Sequence, residues 1–305
     1  MEKLQNSILE IINFYSLFKK PLRPEEILES LSMKTSKEEL DLAIANLCQV
    51  GFLEEKFGFF CSKGESKSAF LRVKRKKYNL IRWKKAAFLA KLVKFLPFVK
   101  MLAVINSVSF GVAKAESDID ILIVSRKNRL WTSRAFMVSL LEILGMNKQL
   151  DKVAERFCLS FAIDEKCLNL LPLKMEKDIY FPLWLANLYP VYDERIYNKI
   201  IKENSWLKEK LPNWEERNSL EKLEKKKNNK IQNFLEKTLS GKFGNWLEKF
   251  LMKIQIKRIW SDPKNHRIGG SVIAEKGMMK LHPYDKRYIY QKTFNQKMRN
   301  LFRTN

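Results

Sequence analysis

The sequence predicts a mixed α/β (α+β) fold in which a small mixed sheet is flanked by helical regions. Residues 1–66 have the pattern of three helices and a hairpin, and residues 98–165 alternate short apolar strands with helical segments. Most of the remaining chain has the apolar periodicity of helices and is rich in lysine. A chain of 305 residues can bury a sizeable core and contain two or three domains.

The positive charge of the chain is concentrated in two regions. The formal charge is +24; residues 66–100 hold 12 Lys/Arg and no Asp/Glu, and residues 222–305 hold 21 against 6. Such regions attract phosphate, as nucleic acid, nucleotide or an anionic surface. The simpler interpretation of the total is a lysine-rich composition without a specific partner.

The sequence indicates a cytoplasmic protein without a transmembrane segment. No apolar stretch reaches the about 18 residues of a membrane-spanning helix, and the first residues predict an amphipathic helix in place of a signal peptide. The cysteines lie in apolar surroundings without C-x-x-C spacing, which predicts reduced core residues and no zinc site. They are Cys48, Cys61, Cys158 and Cys167.

The first 66 residues have the element order of a winged helix. Ser36 is a good N-cap for the third helix, with Glu39 as its capping-box partner and Gly51 at its end. The next residues alternate around Phe57-Gly58, as a β-hairpin does. Winged helices commonly bind DNA through their third helix. Here that helix begins with the acidic sequence KEELD, so a packing or protein-interaction role is favoured over DNA binding.

Residues 67–97 predict a basic connecting helix that ends at Pro97. Its apolar residues recur at helical spacing with lysines opposite them. They are Leu80, Trp83, Ala87, Leu89 and Leu92. A basic amphipathic helix can lie on a membrane surface or bind RNA. Packing of one face against a neighbouring element is the favoured interpretation, and peripheral membrane contact is not expected here.

Residues 98–210 are predicted to form a central α/β domain, and residues 211–305 a basic, mostly helical C-terminal region. MLAVINS, DIDILIVS and RFCLSFAID predict strands, and WTSRAFMVSLLEILG predicts a helix that ends at Gly145. Residues 178–207 and 215–260 predict helices, the latter long and rich in lysine. The final segment predicts a hairpin followed by a helix.

Two aspartates at the start of the second strand form the main candidate site. Asp118 and Asp120 are two residues apart, so a strand points both to one face, roughly 6–7 Å apart at their Cα atoms, with Ile119 in the core. Neighbouring carboxylates repel each other, and a divalent cation relieves this repulsion. Mg²⁺ prefers such oxygen ligands together with phosphate oxygens and water. The alternative is a strand that ends in two solvated aspartates.

The surrounding residues resemble the signature of the DNA polymerase beta-like nucleotidyltransferase superfamily. That signature is a Gly-Ser pair that opens a short helix, a further Gly, and D-x-D on the next strand. Here Asn106-Ser107 is followed by Gly111, Lys114 and the Asp118-Ile119-Asp120 triplet, and the resemblance covers about residues 98–165.

The resemblance implies a Mg²⁺-dependent transfer of a nucleoside monophosphate from a nucleoside triphosphate to an acceptor. Asp118 and Asp120 would bind the metal, with two ions expected. Ser107 and nearby backbone N–H groups would hold the terminal phosphates, and Gly111 would allow the turn toward the second strand. Lys114 is a possible phosphate contact, with a solvated side chain as the favoured alternative. The acceptor is not identified; nucleic acid or another polyanion is compatible with the basic regions.

The sequence departs from the signature at two positions. Asn106 replaces the first glycine, although Asn tolerates left-handed backbone better than most residues. The family also has a third carboxylate on a later strand, acting as general base and metal ligand. Strict alternation in RFCLSFAID puts Ser160 where this acid is expected and Asp164 at the end of the same face. Asp164 is therefore the candidate for the third acid, and Glu155 is a weaker one.

Two other hypotheses remain open. Without a third acid the protein can be a catalytically impaired nucleotide-binding protein or a DNA-binding regulator. The sequence His282-Pro283-Tyr284-Asp285 after Lys280 can line the active cleft, but a simple turn is the favoured interpretation.

Overall fold

The N-terminal unit has the predicted winged-helix order of elements. The computed structural model describes residues 2–149, 151–216 and 229–301. The unit consists of α1 (Glu2–Ser16), α2 (Pro24–Ser30), α3 (Lys37–Gln49), β1 (Leu53–Lys56) and β2 (Phe59–Ser62). β1 and β2 form an antiparallel hairpin, and Leu22 pairs with Phe60 as an additional bridge. Ser36 and Glu39 form the predicted capping box at the start of α3.

A long helix, α4 (Lys67–Val93), connects this unit to the central domain. It turns arginines inward: Arg75 donates to the carbonyl oxygens of Phe18 and Lys19, and Arg82 is completely buried. The predicted apolar face is wrong at Leu80, which is 55% exposed, and at Ala87, which is also exposed, because Arg82 and Ala86 take the inward positions instead. The planar guanidinium can do so because its five N–H donors satisfy several carbonyls at once.

The central sheet has six strands in the order β6-β3-β4-β5-β8-β7. β4 and β5 are parallel, and every other neighbouring pair is antiparallel. The predicted mixed sheet is therefore confirmed. Its first elements are β3 (Val99–Val104), α5 (Asn106–Ser109), β4 (Ile119–Ser125), α6 (Leu130–Ile143) and β5 (Phe157–Asp164).

The sequence pattern predicted helices throughout residues 178–207, and this prediction is wrong in part. These residues contain α7 (Tyr180–Ala186), β6 (Tyr189–Asp193) and α8 (Tyr197–Glu203), and α9 (Trp206–Lys210) follows. β6 forms the edge of the sheet beside β3. Its apolar residues resemble those of a buried helix, and only the pairing with β3 decides the extended conformation.

The C-terminal region contributes to the same sheet. It contains α10 (Lys230–Thr238), α11 (Lys242–Ser261), β7 (Ser271–Ala274), β8 (Met278–His282) and α12 (Arg287–Leu301). The predicted hairpin and terminal helix are present, and β8 pairs with β5. The predicted boundary at residue 210 therefore does not separate the sheet from the C-terminal region. Most of the lysine-rich stretch 221–230 lies outside the described residues.

The N-terminal unit packs on one face of this sheet. Phe14 contacts Tyr180 of α7 and Phe294 of α12, and Lys297 of α12 pairs with Glu65. This packing places Phe18, just after α1, at the wall of the candidate site. Among the described helices, none is long and apolar enough to cross a membrane.

Candidate active site

A cavity of about 480 Å³ opens beside the start of β4 and β5. One wall is formed by the turn after β3 and by the first residues of the two parallel strands. The rest of the lining comes from α7, β8 and the segment that leads into α12. Asn106, Ser107, Asp118 and Asp120 all line this space. The structure therefore brings the serine-headed turn and the two acids together beside one cleft.

Asp118 and Asp120 lie where β4 begins, and both line the cavity as the alternation of the strand predicts. Ile119 between them is completely buried in the core. In the parallel register, Asp120 is opposite Cys158. One ligand atom each of Asp118, Asp120 and Cys158 lies within 4.8 Å of the other two.

The electrostatics of this cluster favour a bound cation. Burial, and then the neighbouring charge of Asp118, raise the pKa of Asp120 to about 6. Lys148 partly offsets the repulsion, because its Nζ lies 2.6 Å from Oδ2 of Asp118. Burial and the charge of Asp120 raise the pKa of the Cys158 thiol to about 12, so this thiol is neutral at pH 7. A neutral thiol is a poor ligand for Mg²⁺, which leaves the two carboxylates as its ligands.

The turn after β3 uses Asn106 where the family has glycine. Its φ is +58°, in the left-handed region, and Gly111 follows at +71°. The side chain of Asn106 also has a structural role, because its Oδ1 accepts a 3.0 Å hydrogen bond from Nε1 of Trp184. The same side chain lowers the pKa of Asp120, against the larger effect of burial. Asn106 therefore keeps the backbone of the turn and ties it to α7.

Arg82 fixes the loop that leads into Asp118. Its Nε and Nη2 donate to the carbonyl oxygen of Ser117 at 3.0 and 2.7 Å, and Nη2 also donates to that of Ala115 at 2.8 Å. The backbone N–H of Glu155 donates to the same Ser117 oxygen. These bonds hold the residue before Asp118 against both α4 and the loop before β5. No sequence pattern indicates this role, because Arg82 lies among many other basic residues.

Asp164 is not the third carboxylate, which corrects the prediction from alternation. β5 has one extra residue relative to β4, since Asp120 is opposite Cys158 whereas Leu122 is opposite Phe161. Because of this extra residue, the side chains that follow it point to the opposite faces of the sheet from those that strict alternation predicts. Phe157 and Phe161 therefore pack in different core layers. Asp164 is also six residues beyond Cys158, about 20 Å along the strand.

The oxygens of Asp164 are used by the fold at that far end. Its Oδ2 accepts from the backbone N–H of Asn128 at 2.8 Å, and its Oδ1 accepts from that of Lys166 at 2.9 Å. The weaker candidate, Glu155, pairs with Lys85 at 2.7 Å and does not line the cavity. Lys114 also lies outside the cavity, with its side chain 63% exposed and Glu116 at 4.0 Å.

Ser160 does lie where the third acid was expected to be. It lines the cavity at 8% exposure, and its hydroxyl has no hydrogen-bond partner. Of the acids that line the cavity, the third is Asp285, which is held by Nε and Nη2 of Arg287 at 2.6 to 3.1 Å. Among the described residues, no third carboxylate therefore joins Asp118 and Asp120.

The segment around His282 lines the cavity, although the sequence favoured a simple turn. Lys280, His282, Asp285 and Arg287 all face this space. Burial, and then the charge of Lys280, lower the pKa of His282 to about 4, so its imidazole is neutral at pH 7. Its Nδ1 is buried without a hydrogen-bond partner. Arg287 is fixed by a second carboxylate, Asp178, at 3.1 Å.

Several aromatic residues and one lysine at the site were not predicted. Tyr180 and Trp184 of α7 and Lys148 before β5 line the cavity. Lys148 lies 30 residues from Asp118 in sequence, and a single lysine in a basic chain carries no signal of such a pairing. Trp184 had been assigned to a helix without a role at the site.

Comparisons of the chain with protein-family models, with curated proteins and with solved structures found no match. Any assignment of function therefore rests on the residues and the geometry described above.

Proposed function

We propose that the protein is a nucleotidyltransferase that moves a nucleoside monophosphate from a nucleoside triphosphate to an acceptor and releases pyrophosphate. One observation carries the proposal: Asp118 and Asp120 lie together where β4 begins, on the same cavity as the Asn106-Ser107 turn. This arrangement matches the family resemblance in its backbone and in its pair of acids.

The residues of the cavity fit a divalent cation. Two adjacent carboxylates are hard oxygen ligands, and the raised pKa of Asp120 reflects burial and a repulsion that a cation relieves. Bound Mg²⁺ would neutralise charge on the phosphates and on the displaced pyrophosphate. Asp118 and Asp120 would hold it, and Lys148, the partner of Asp118, would have to release that carboxylate.

The other residues of the cavity would position the nucleotide. Ser107 presents a hydroxyl beside the acids, and Arg82 keeps Asp118 in place through the Ser117 carbonyl. Phe110 and Tyr180 stack on each other at the cavity wall with ring centroids 5.7 Å apart, which gives this side of the cavity an apolar surface.

The acceptor is expected to carry an oxygen that is already ionised at neutral pH. A hydroxyl acceptor needs a general base, and Cys158 and Ser160 stand where the family has its acid. Neither a neutral thiol nor a serine hydroxyl removes a proton efficiently. A phosphate needs no such step.

The test is transfer of label from each of the four α-phosphate-labelled nucleotides in the presence of Mg²⁺. RNA, small phosphorylated compounds and cell extract would be offered as acceptors. We expect a labelled product, release of pyrophosphate and a preference for phosphate over hydroxyl acceptors. Asp120→Asn should abolish transfer, whereas Glu155→Gln, which changes an acid outside the cavity, should not. Absence of transfer with every acceptor would contradict the proposal.

A second candidate function is nucleotide binding without turnover. The observation that favours it is Cys158 in place of a third carboxylate. This function predicts Mg²⁺-dependent binding of a nucleoside triphosphate by calorimetry, with no label transferred. DNA binding through α3 is less favoured, because its exposed residues include Glu38 and Asp41, which repel the phosphate backbone. Retention on genomic DNA that is insensitive to Asp118→Ala would favour that role.

A further inference from the structure

α10 and α11 expose a set of large apolar side chains that we call the aromatic stripe. It consists of Ile231, Phe234, Phe243, Trp246, Phe250 and Ile254. The four members on α11 recur at i, i+3, i+7 and i+11, the spacing of one helix face. Trp246 is 58% exposed and Phe250 47% exposed. Large apolar side chains that are exposed together on one helix face mark an interaction surface.

The charged residues of the two helices are sorted by face. Residues 229–261 contain seven Lys/Arg and two Glu. Both glutamates are used inward: Glu248 accepts from the backbone N–H groups of Trp131 and Thr132 at 2.9 and 2.8 Å, and Glu236 accepts from that of Phe98 at 2.9 Å. Within residues 229–261, the outward face of the two helices therefore combines apolar side chains with lysines and carries no glutamate.

Lysines border the stripe along α11. Lys242, Lys249 and Lys253 are exposed and recur at i, i+7 and i+11, on the row next to the aromatic residues. Their flexible stems can reach an anionic plane while the aromatic rings enter its apolar layer.

The helix is held in a fixed orientation by its opposite face. Nε2 of Gln255 donates to the carbonyl oxygen of Trp131 at 3.0 Å, and Glu248 caps the start of α6. At Gly244 a Cβ atom would lie 1.6 Å from the carbonyl oxygen of Leu239, so α10 and α11 meet at a tight corner. The inward face is thus occupied by the chain itself, and the stripe faces outward.

We propose that the aromatic stripe docks the protein on the surface of a bilayer that contains anionic phospholipid. Trp and Phe rings beside lysines are the composition of helices that lie in the membrane interface. The lysines would contact the lipid phosphates, each contributing attraction near the surface. α11 would lie in the plane of the membrane, because Lys249 and Lys253 prevent it from crossing.

Charge and ring geometry favour lipid over two other occupants. A second copy of the chain would bring two lysine-bordered faces together, which like charges oppose. A nucleic acid would need open ring faces on which bases stack. Trp246 already stacks with Phe243 and Phe250, at centroid distances of 5.9 and 5.4 Å. Ile231 and Ile254 offer no ring at all.

The test is flotation of the full chain with phosphatidylcholine vesicles, with and without phosphatidylglycerol, at low and physiological salt. We expect binding only to the anionic vesicles, and weaker binding as salt increases. The double variant Trp246→Ser, Phe250→Ser and the double variant Lys249→Glu, Lys253→Glu should each weaken binding by about tenfold or more. Phe70→Ser is the matched control, since Phe70 is 53% exposed on the basic helix α4. Thermal unfolding checks that every variant is folded.

Several results would overturn the proposal. They are a failure of the wild-type chain to float with anionic vesicles, flotation of the stripe variants like the wild type, and an equal loss of binding in Phe70→Ser. A dimer by light scattering that only the stripe variants dissociate would assign the face to a second copy. Loss of RNA binding with unchanged flotation would assign it to nucleic acid. None of these measurements depends on nucleotide transfer.

Discussion

The two ends of the parallel strand pair β4 and β5 carry aspartates in opposite situations. At the first end, Asp118 and Asp120 point into a cavity with Lys148 as the cation that pairs with Asp118. At the other end, Asp164 is 1% exposed and each of its oxygens accepts a backbone N–H. The same residue type on the same pair of strands therefore serves a candidate site at one end and the fold at the other.

The comparison shows what makes a carboxylate available to a ligand. Asp164 is close to saturated because the loops before α6 and after β5 bring N–H donors to it. The pair at the other end faces a cavity instead, and burial and mutual repulsion raise the pKa of Asp120. A carboxylate that the fold has not satisfied is the better candidate for a metal ligand.

The largest expected difference between the two ends is in activity. Asp120→Asn should reduce nucleotide transfer by about 100-fold or more, because one metal-binding oxygen is replaced by an amide. Asp164→Asn should leave transfer per folded molecule within about twofold, because that side chain lies about 20 Å from the pair along the strand. Initial rates at saturating Mg²⁺ and nucleotide measure both effects. Equal losses in the two variants would erase the distinction between the ends.

The second difference is in stability. Asp164→Ala should lower the free energy of unfolding by about 3 kcal/mol, because the backbone N–H groups of Asn128 and Lys166 lose their acceptor. Urea denaturation measures this change, and Asp120→Ala is the control from the other end. The control should not be destabilised by a comparable amount at pH 7, because removal of Asp120 also removes a repulsion. A stable Asp164→Ala protein would show that these bonds contribute little.

The third difference is in the pH dependence of stability. The fold raises the pKa of Asp120 from 3.8 to about 6, so the unfolded chain releases this proton first. The protonation of Asp120 therefore favours the folded state at low pH, and this contribution to the free energy of unfolding is lost as the pH rises from about 4 to about 6. Asp120→Asn should therefore be more stable than the metal-free wild type at pH 7, by on the order of 2 kcal/mol.

Urea denaturation of the wild type and of Asp120→Asn between pH 4 and pH 7 measures this effect as a difference between their free energies of unfolding. The difference should be small near pH 4, and Mg²⁺ at pH 7 should reduce it by stabilising only the wild type. Parallel stability curves for the two proteins would mean that Asp120 titrates normally.

The smallest expected effect concerns the turn that supports the acidic pair. Asn106 has a φ of +58°, so Asn106→Ala should be less stable than Asn106→Gly by about 1 kcal/mol. Both substitutions remove the bond to Trp184, and the difference isolates the backbone strain. Thermal unfolding of the two variants measures it, and an alanine variant as stable as the glycine variant would remove strain as a reason for the family's glycine.

The sequence alone was sufficient for the elements that local patterns control. The capping box at Ser36, the strand after Asp118 and the terminal hairpin were all predicted from short stretches. The turn at Gly111 was implied by the family resemblance, and glycine is the residue that its left-handed backbone favours. These features depend on backbone geometry within a few residues, which composition and spacing reveal.

Only the tertiary structure decided which distant residues meet at the site. The extra residue in β5 reversed its facing and moved Asp164 away from the cavity, and nothing in RFCLSFAID marks that position. Lys148 and the His282 segment reach the cavity from separate parts of the chain, and Arg82 supports the loop before Asp118 from a third. Periodicity determined that Asp118 and Asp120 point to the same face at the start of β4, because alternation is a local property of a strand. Their partners depend on register and packing between elements, and a local pattern does not contain that information.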